Sequence, residues 1–375
     1  MAHDISKVIP QFQPYLDHLE LQAVKECFDA NWITEGPKSK EFVTRLSSVL
    51  GFKYGVLASN GTVALYMGLI AMGIKPGDEV IVPDFTFIAS ANAITMCGAK
   101  PIFCDIDETL HIDLKKAKKL ITRKTKAIMP VHIYGMACDM ESVMQFAESN
   151  GLKVIEDAAQ AVGVTWNGKQ AGTFGDIGTF SFFADKTITT GEGGLVVTNN
   201  PDTYEKLQYL RNQGRINRGS FVHPEIGYNF RLTDLQSAIG LVQLEKLAEI
   251  IEKKKNILNH YAKSLSPEID LIRPLENSKS GHIPFRVCFR INGGSQPLLK
   301  FLAESKIETR TFFYPLHSQP SYIKKYNRIT NRLAKSDFSI SDKMFDEGVC
   351  LPSWVGISEE EIEYISGKIN EFLLR

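Results

Sequence analysis

Three short segments of this 375-residue chain hold residue types that can act on one small ligand. The first is Ala58-Ser59-Asn60-Gly61-Thr62-Val63-Ala64-Leu65, where an apolar run ends, small polar residues turn, and an apolar helix pattern begins. Such a turn leaves N–H groups unpaired at the positive end of a helix, which suits a phosphate. The same residue types are also ordinary helix caps. The second is Val154-Ile155-Glu156-Asp157-Ala158-Ala159-Gln160, an apolar strand with an acidic end. Ligands of open α/β sheets sit beyond the carboxyl ends of the strands, so Asp157 is placed to meet a ligand cation. A solvated strand end is the commoner fate of such a carboxylate. The third segment runs from Gly178 through Ser181, Asp185 and Lys186 to the turn Thr190-Gly191-Glu192-Gly193-Gly194. A lysine in apolar surroundings is drawn toward its neutral amine, which can form a Schiff base. Glycines let backbone approach a ligand closely. Taken alone, Lys186 would be a surface lysine beside a hairpin.

The elements around these segments decide whether they can meet. Residues 54–58, 79–82, 101–104, 127–132 and 153–156 read as strands, and 62–72, 89–97, 114–121 and 140–149 as the helices between them. That alternation predicts βαβ units and a mostly parallel sheet. Two further β-rich runs follow at 177–182 and 195–198, then helix patterns at 203–211 and 233–247. A charged helical stretch, 245–263, leads to a β run at 285–291 and terminal helices. This organisation predicts a large ligand-binding domain with an N-terminal arm over 1–245 and a small domain over 246–375.

Composition excludes several function classes. Forty-three basic residues balance 43 acidic ones, so no bulk positive field exists to recruit nucleic acid. The six cysteines are far apart, with no CxxC pair, which predicts reduced thiols in a cytoplasmic protein. The first twenty residues lack the basic and apolar regions of a signal peptide. The most apolar stretch, 80–99, is interrupted by Pro83 and Asp84 and is not expected to span a membrane. Asn60-Gly61-Thr62 matches a glycosylation sequon by chance. The run from Gly163 to Gln170 resembles a nucleotide-triphosphate loop but has Gln where Ser or Thr must reach Mg²⁺. The histidines show no ligand spacing, no GxSxG elbow occurs, and Gly172 to Gly178 is not a dinucleotide fingerprint.

A phosphate nest, a strand-end carboxylate and a lysine 29 residues after it match the needs of pyridoxal 5′-phosphate (PLP). That cofactor carries a phosphate, a pyridine nitrogen that must stay protonated, and an aldehyde that takes an amine. The sequence then resembles the DegT-type sugar-nucleotide aminotransferases of the fold-type-I PLP enzymes. Seven segments in order carry the resemblance. They are Trp32-Ile33-Thr34-Glu35-Gly36-Pro37, residues 59–65, Pro83-Asp84-Phe85-Thr86-Phe87-Ile88-Ala89-Ser90, residues 156–161, residues 172–194, Gly227-Tyr228-Asn229-Phe230-Arg231-Leu232-Thr233, and Phe313-Tyr314-Pro315-Leu316-His317. Within that family the branch that forms GDP-perosamine is most similar, through Tyr134-Gly135, Cys138-Asp139-Met140-Glu141, residues 186–194 and Ile307-Glu308-Thr309-Arg310.

The resemblance implies a mostly parallel seven-stranded-type α/β sheet flanked by helices, with a smaller C-terminal α+β domain. It implies that Lys186 holds PLP covalently and then moves protons, that Asp157 pairs with the pyridinium, and that Gln160 lies near the phenolic oxygen. Phe87 is expected to stack on the ring; Phe85, two residues away on the same strand, would face the same way. Gly61, Thr62 and Ser181 are expected to bind the phosphate, with Asn229 reaching it from the neighbouring subunit of a homodimer. Trp32, Arg231 and His317 are expected substrate contacts. The implied reaction takes an amino group from L-glutamate to C4 of a nucleotide-linked 4-keto-6-deoxy sugar. The best match is GDP-4-keto-6-deoxy-D-mannose; a UDP- or dTDP-linked sugar is the alternative. A non-catalytic PLP-fold regulator is disfavoured, because no helix-turn-helix or basic arm is evident. No metal, nucleic acid or membrane is expected.

Overall fold

The computed structural model describes residues 7–216, 219, 221–326 and 335–375. Its main sheet has seven strands: β1 (Tyr54–Ala58), β2 (Glu79–Pro83), β3 (Lys100–Cys104), β4 (Thr125–Ile128), β5 (Lys153–Asp157), β6 (Ile177–Ser181) and β7 (Gly194–Thr198). They lie in the order β1-β7-β6-β5-β4-β2-β3, and only β7 runs antiparallel to its neighbours. The mostly parallel α/β sheet expected from the βαβ pattern is present.

Short apolar strands suit this sheet because both faces are covered. Along β2, Ile81 packs into the core on one face while Val80 and Val82 pack into the core on the other. The β5 pair Val154 and Ile155 divides the same way. One strand expectation is corrected. The run 127–132 is a strand only as far as Ile128, and Val131 makes an isolated bridge to Asp157. Pro130 has no N–H to donate to a ladder.

Helix α1 (His18–Asp29) and helix α2 (Pro37–Leu50) pack against a later helix, Asp234–Glu245. The buried Asp234 carboxylate accepts from the N–H groups of Gly36, Lys38 and Ser39, fastening the start of α2. Helix α3 (Gly61–Ala71) follows β1 directly, and α4 (Ala89–Met96) follows β2 through the Asp84–Ile88 loop.

A second, three-stranded antiparallel sheet comprises Val287–Arg290, Arg310–Thr311 and Gly348–Leu351. The helices Leu247–Ser264 and Glu359–Leu373 pack together beside it. The division at residues 245 and 246 stays our proposal, on the ground that every strand of the large sheet precedes it and every strand of the small sheet follows it. The start of the arm crosses that division: Ile9 bridges Ile307 and packs into the C-terminal core. Among the described residues no helix is long and apolar enough to cross a membrane.

Candidate active site

The carboxyl ends of β5 and β6 and the start of α3 converge on a cavity of about 1060 Å³. That volume is ample for a cofactor with a small substrate. The cavity is lined by Gly61, Thr62, Phe87, Asp157, Gln160, Ser181 and Lys186, so seven of the residues expected at the site meet in one place.

The start of α3 is built for close approach. Asn60 caps the helix, its Oδ1 accepting from Val63 N at 2.9 Å. The N–H groups of Gly61 and Thr62 precede the first intrahelical bond and have no helix partner. A Cβ on Gly61 would sit 2.9 Å from the Ser181 Cβ, and one on Gly194 would sit 2.5 Å from the Asn60 carbonyl oxygen. The glycines therefore bring the helix N-terminus onto the ends of β6 and β7, beside the Ser181 hydroxyl. Backbone N–H groups, a hydroxyl and the helix dipole together can hold a phosphate.

Asp157, at the end of β5, is buried. Its Oδ2 accepts from Ser90 Oγ at 2.7 Å and its Oδ1 accepts from Ala159 N at 3.1 Å. These donors fix the orientation of the carboxylate. Neighbouring Glu156 holds the adjoining loop, accepting from the N–H groups of Gly172, Phe174 and Gly175, each at 2.7 Å, with the His132 ring 3.0 Å away. Gln160 Oε1 accepts from Tyr134 N at 2.7 Å, which orients its amide –NH₂ as the group left for the cavity.

Lys186 lies in the connection between β6 and β7. That connection is closed by Phe182 N–H donating to Gly193 O and by Thr190 N–H donating to Phe182 O, each at 2.9 Å. It is tied to the Asp234–Glu245 helix by Gln236 Nε2 donating to Glu192 O at 2.8 Å. The turn residue Gly191 has φ +80°, where glycine carries no steric cost. The Lys186 side chain is only 14% exposed. Its Nζ lies 4.4 Å from the Phe285 ring centroid and 3.3 Å from Asp185 Oδ1. Burial pulls the amine below the usual lysine range; Asp185 draws it back up, Arg286 pushes it further down, and Asp157 draws it up. A buried lysine whose amine is drawn below its usual range is suited, once neutral, to attack a carbonyl and carry a proton.

Phe87 is 58% exposed and faces the cavity, edge-on to Phe313, whereas Phe85 is fully buried against Tyr134 and Phe312. The expectation that both share one strand face is corrected: β2 ends at Pro83, and the loop that follows turns the two rings apart.

Trp32, Asn229, Arg231 and His317 do not line this chain's cavity. Trp32 is on the surface, with Nε1 donating to Glu35 O at 3.3 Å. Asn229 is exposed and bridges Asn212, whose Oδ1 accepts from Arg231 Nη1 at 2.6 Å. His317 is buried, its ring 2.7 Å from Asp84 Oδ2 and stacked on Phe338. A histidine held on its face and at its edge is a packing residue of the loop, so the expected substrate contact by His317 is not found. The cavity also contains residues that the sequence reading left without a role: Asp185, Arg286, Arg310, Phe313 and Tyr314. Ser90, which does not line it, enters the site as the hydrogen-bond donor to Asp157. Residues 313–317 and Arg310 lie in segments that carried the family resemblance, which was the signal available for them.

Residues 14–370 match the family model described as the DegT/DnrJ/EryC1/StrS aminotransferase family. The chain is 42% identical to an Escherichia coli O157:H7 protein named GDP-perosamine synthase, over 98% of this chain and 99% of that one. It is 33% identical to an Acidithiobacillus ferrooxidans protein named UDP-N-acetyl-3-dehydro-alpha-D-glucosamine 3-aminotransferase, over 96% and 95% of the two chains. A solved structure of a putative sugar aminotransferase from Streptococcus pneumoniae, in its PLP form, superposes with a TM-score of 0.91 at 27% identity, covering 97% of this chain and 98% of that one.

Proposed function

The chain belongs to the DegT/DnrJ/EryC1/StrS aminotransferase family and is a PLP-dependent sugar aminotransferase; from that premise we propose that it moves the amino group of L-glutamate to C4 of GDP-4-keto-6-deoxy-D-mannose, giving GDP-perosamine. The observation that carries the substrate is the 42% identity, over essentially the whole of both chains, to a protein of that name. Similar likenesses of 38% and 39% to two more proteins of the same name support it. The 33% identity to a UDP-sugar aminotransferase favours a UDP-linked keto sugar as the second reading.

The residues at the cavity fit the cofactor. Gly61 and Thr62 offer N–H groups, and Ser181 a hydroxyl, where a Cβ on Gly61 would fill the cradle. When bound, PLP supplies an aldehyde that takes up amines and a protonated ring that accepts the electrons released when a C–H bond breaks. In this proposal Asp157 holds the proton on the ring nitrogen, Gln160 donates toward the phenolic oxygen, and Phe87 covers one ring face. Lys186 Nζ would hold the cofactor at rest by condensing with its aldehyde, the carbonyl oxygen leaving as water. Once displaced by the amino donor, the freed Lys186 amine would be placed to take the proton from the donor's α-carbon and deliver it to the carbon that had been the cofactor's aldehyde, on the far side of the shared nitrogen. The same amine moves the proton in reverse when the keto sugar arrives. Arg310 offers a cation to the donor's carboxylate or the sugar's diphosphate.

The proposal keeps Asn229 as a residue that a second copy of the chain brings to the phosphate, in a homodimer with shared sites. Its exposure, and that of Trp32, agrees with such a role. Arg231 remains a candidate substrate contact across the same boundary, and His317 is dropped. The experiment is incubation of the purified protein with PLP, L-glutamate and a panel of GDP-, UDP- and dTDP-linked 4-keto-6-deoxy sugars, with the products resolved by mass spectrometry and NMR. A 4-amino product formed fastest from the GDP sugar supports the proposal. Faster turnover of a UDP or dTDP sugar overturns the substrate assignment.

A further inference from the structure

Behind Lys186, on the side facing the small sheet, three charged side chains come together. Asp185 Oδ1 lies 3.3 Å from Lys186 Nζ and accepts no well-formed hydrogen bond among the described residues, while Asp185 Oδ2 accepts from Arg286 Nη2 at 3.0 Å. The Asp185 side chain is 11% exposed and that of Arg286 15%. Lys254, buried in the Leu247–Ser264 helix, projects toward the same place, its Nζ reaching the carbonyls of Pro284 and Phe285, at 3.4 and 3.5 Å. These residues border a small cavity beside Lys186, together with Gln243, Ser353 and Trp354. One carboxylate is thus shared between Lys186 and Arg286 in a poorly solvated space, with Lys254 bordering the same small cavity.

We propose that Arg286 and Asp185 form a positioning pair that sets the charge of the Lys186 amine: Asp185 orients it, and Arg286 engages the carboxylate so that Asp185 does not hold the lysine as a fixed ammonium ion. This rests on the reading of Lys186 as the cofactor's lysine. A lysine paired to an unshared buried carboxylate stays protonated and can neither attack an aldehyde nor accept a proton. Arg286 counters that in two ways. Its guanidinium, which does not deprotonate, takes one oxygen of Asp185, and its own charge repels a proton on Lys186. The charged and titratable groups around Lys186 are Asp185 beside it, Arg286 at the start of the small sheet, Asp157 at the end of β5, and Lys254 on its helix. Burial, with Arg286 and Lys186 nearby, brings the Lys254 amine down to about 8 despite the pull of Asp185, so near neutral pH it adds positive charge behind the site. Deleting the two members of the pair should therefore move Lys186 in opposite directions.

The test is competitive acetylation of the cofactor-free, full-length protein across pH, with the Lys186 peptide quantified by mass spectrometry, alongside a pH titration of the visible absorbance of the PLP-loaded protein. Asp185→Asn is expected to lower the Lys186 midpoint by about one pH unit, and Arg286→Gln to raise it by about as much, the scale of a single close charge. Arg286→Lys, which keeps the charge, should leave the midpoint within about 0.3 unit, and circular dichroism checks the fold of each variant. If Arg286→Gln does not fold, Asp185→Asn, which keeps size and shape, decides alone. Shifts in the same direction, or no shift in Asp185→Asn, overturn the inference while leaving Lys186 as the cofactor's lysine. Retention of the lysine-bound PLP absorbance in Lys186→Ala would instead overturn the reading of Lys186, and this inference with it.

Discussion

Replacing Asp157 by Asn separates charge from structure at the site. The wild-type carboxylate accepts from Ser90 Oγ and from Ala159 N. An Asn side chain can keep its oxygen on the Ala159 N–H, which cannot reverse. Its –NH₂ then faces Ser90, whose hydroxyl can accept that bond and donate to Phe87 O, already 3.2 Å away. The exchange costs the fold about one ordinary hydrogen bond, roughly 1 kcal/mol. The loss of charge acts on the cofactor. An opposite charge in contact raises the pKa of a ring nitrogen by about 1–3 units, or roughly 1.4–4 kcal/mol, so its loss should slow proton removal by about 10- to 1000-fold. The assay is the half-reaction with L-glutamate, followed by the change in visible absorbance, beside a thermal melt. The expected result is a melt within a few degrees of wild type and a rate lowered within that range. A PLP analogue with a permanently charged ring nitrogen should recover much of the rate. Wild-type rates with ordinary PLP would refute the assignment of Asp157 to the ring nitrogen.

Further outcomes follow from individual contacts. Gly61→Ala places a methyl group 2.9 Å from the Ser181 Cβ; it should weaken PLP binding about tenfold or more in a fluorescence titration, with about 1–3 kcal/mol of overpacking at most in urea unfolding. Glu156→Gln points an amide –NH₂ at backbone N–H donors and should lose about 3–5 kcal/mol of stability by the same denaturation. Burial pulls the His111 imidazole down to about 4, so the unfolded chain takes the proton first as pH falls from about 6.5. His111 should therefore withdraw up to about 3 kcal/mol of stability between pH 6.5 and 4 and none above pH 7, and His111→Gln should flatten that part of the pH–stability curve.

The parts of the site legible in the sequence were those carried by neighbouring residues. Asn60 to Val63 spell a cap and an α3 start, Val154 to Asp157 spell a buried strand with an acidic end, and both emerge at the cavity. Lys186 had an unremarkable local context. It became a site residue because β6 and β7 form a hairpin whose connection lies beside the end of β5, which depends on strand order. Phe85 and Phe87 were indistinguishable by alternation, and a loop conformation separates them. The Asp185–Arg286 pair spans 101 positions and left no local trace. Trp32, Asn229 and Arg231 came from resemblance alone, and a single chain does not bring them to its own cavity.

Peptide mapping after borohydride reduction of the PLP-loaded protein tests the central assignment most directly. The account predicts one phosphopyridoxyl group per chain, on Lys186, and its absence when L-glutamate is added before the reductant. Label on Lys254 or any other lysine, or label on Lys186 that L-glutamate does not prevent, would contradict it.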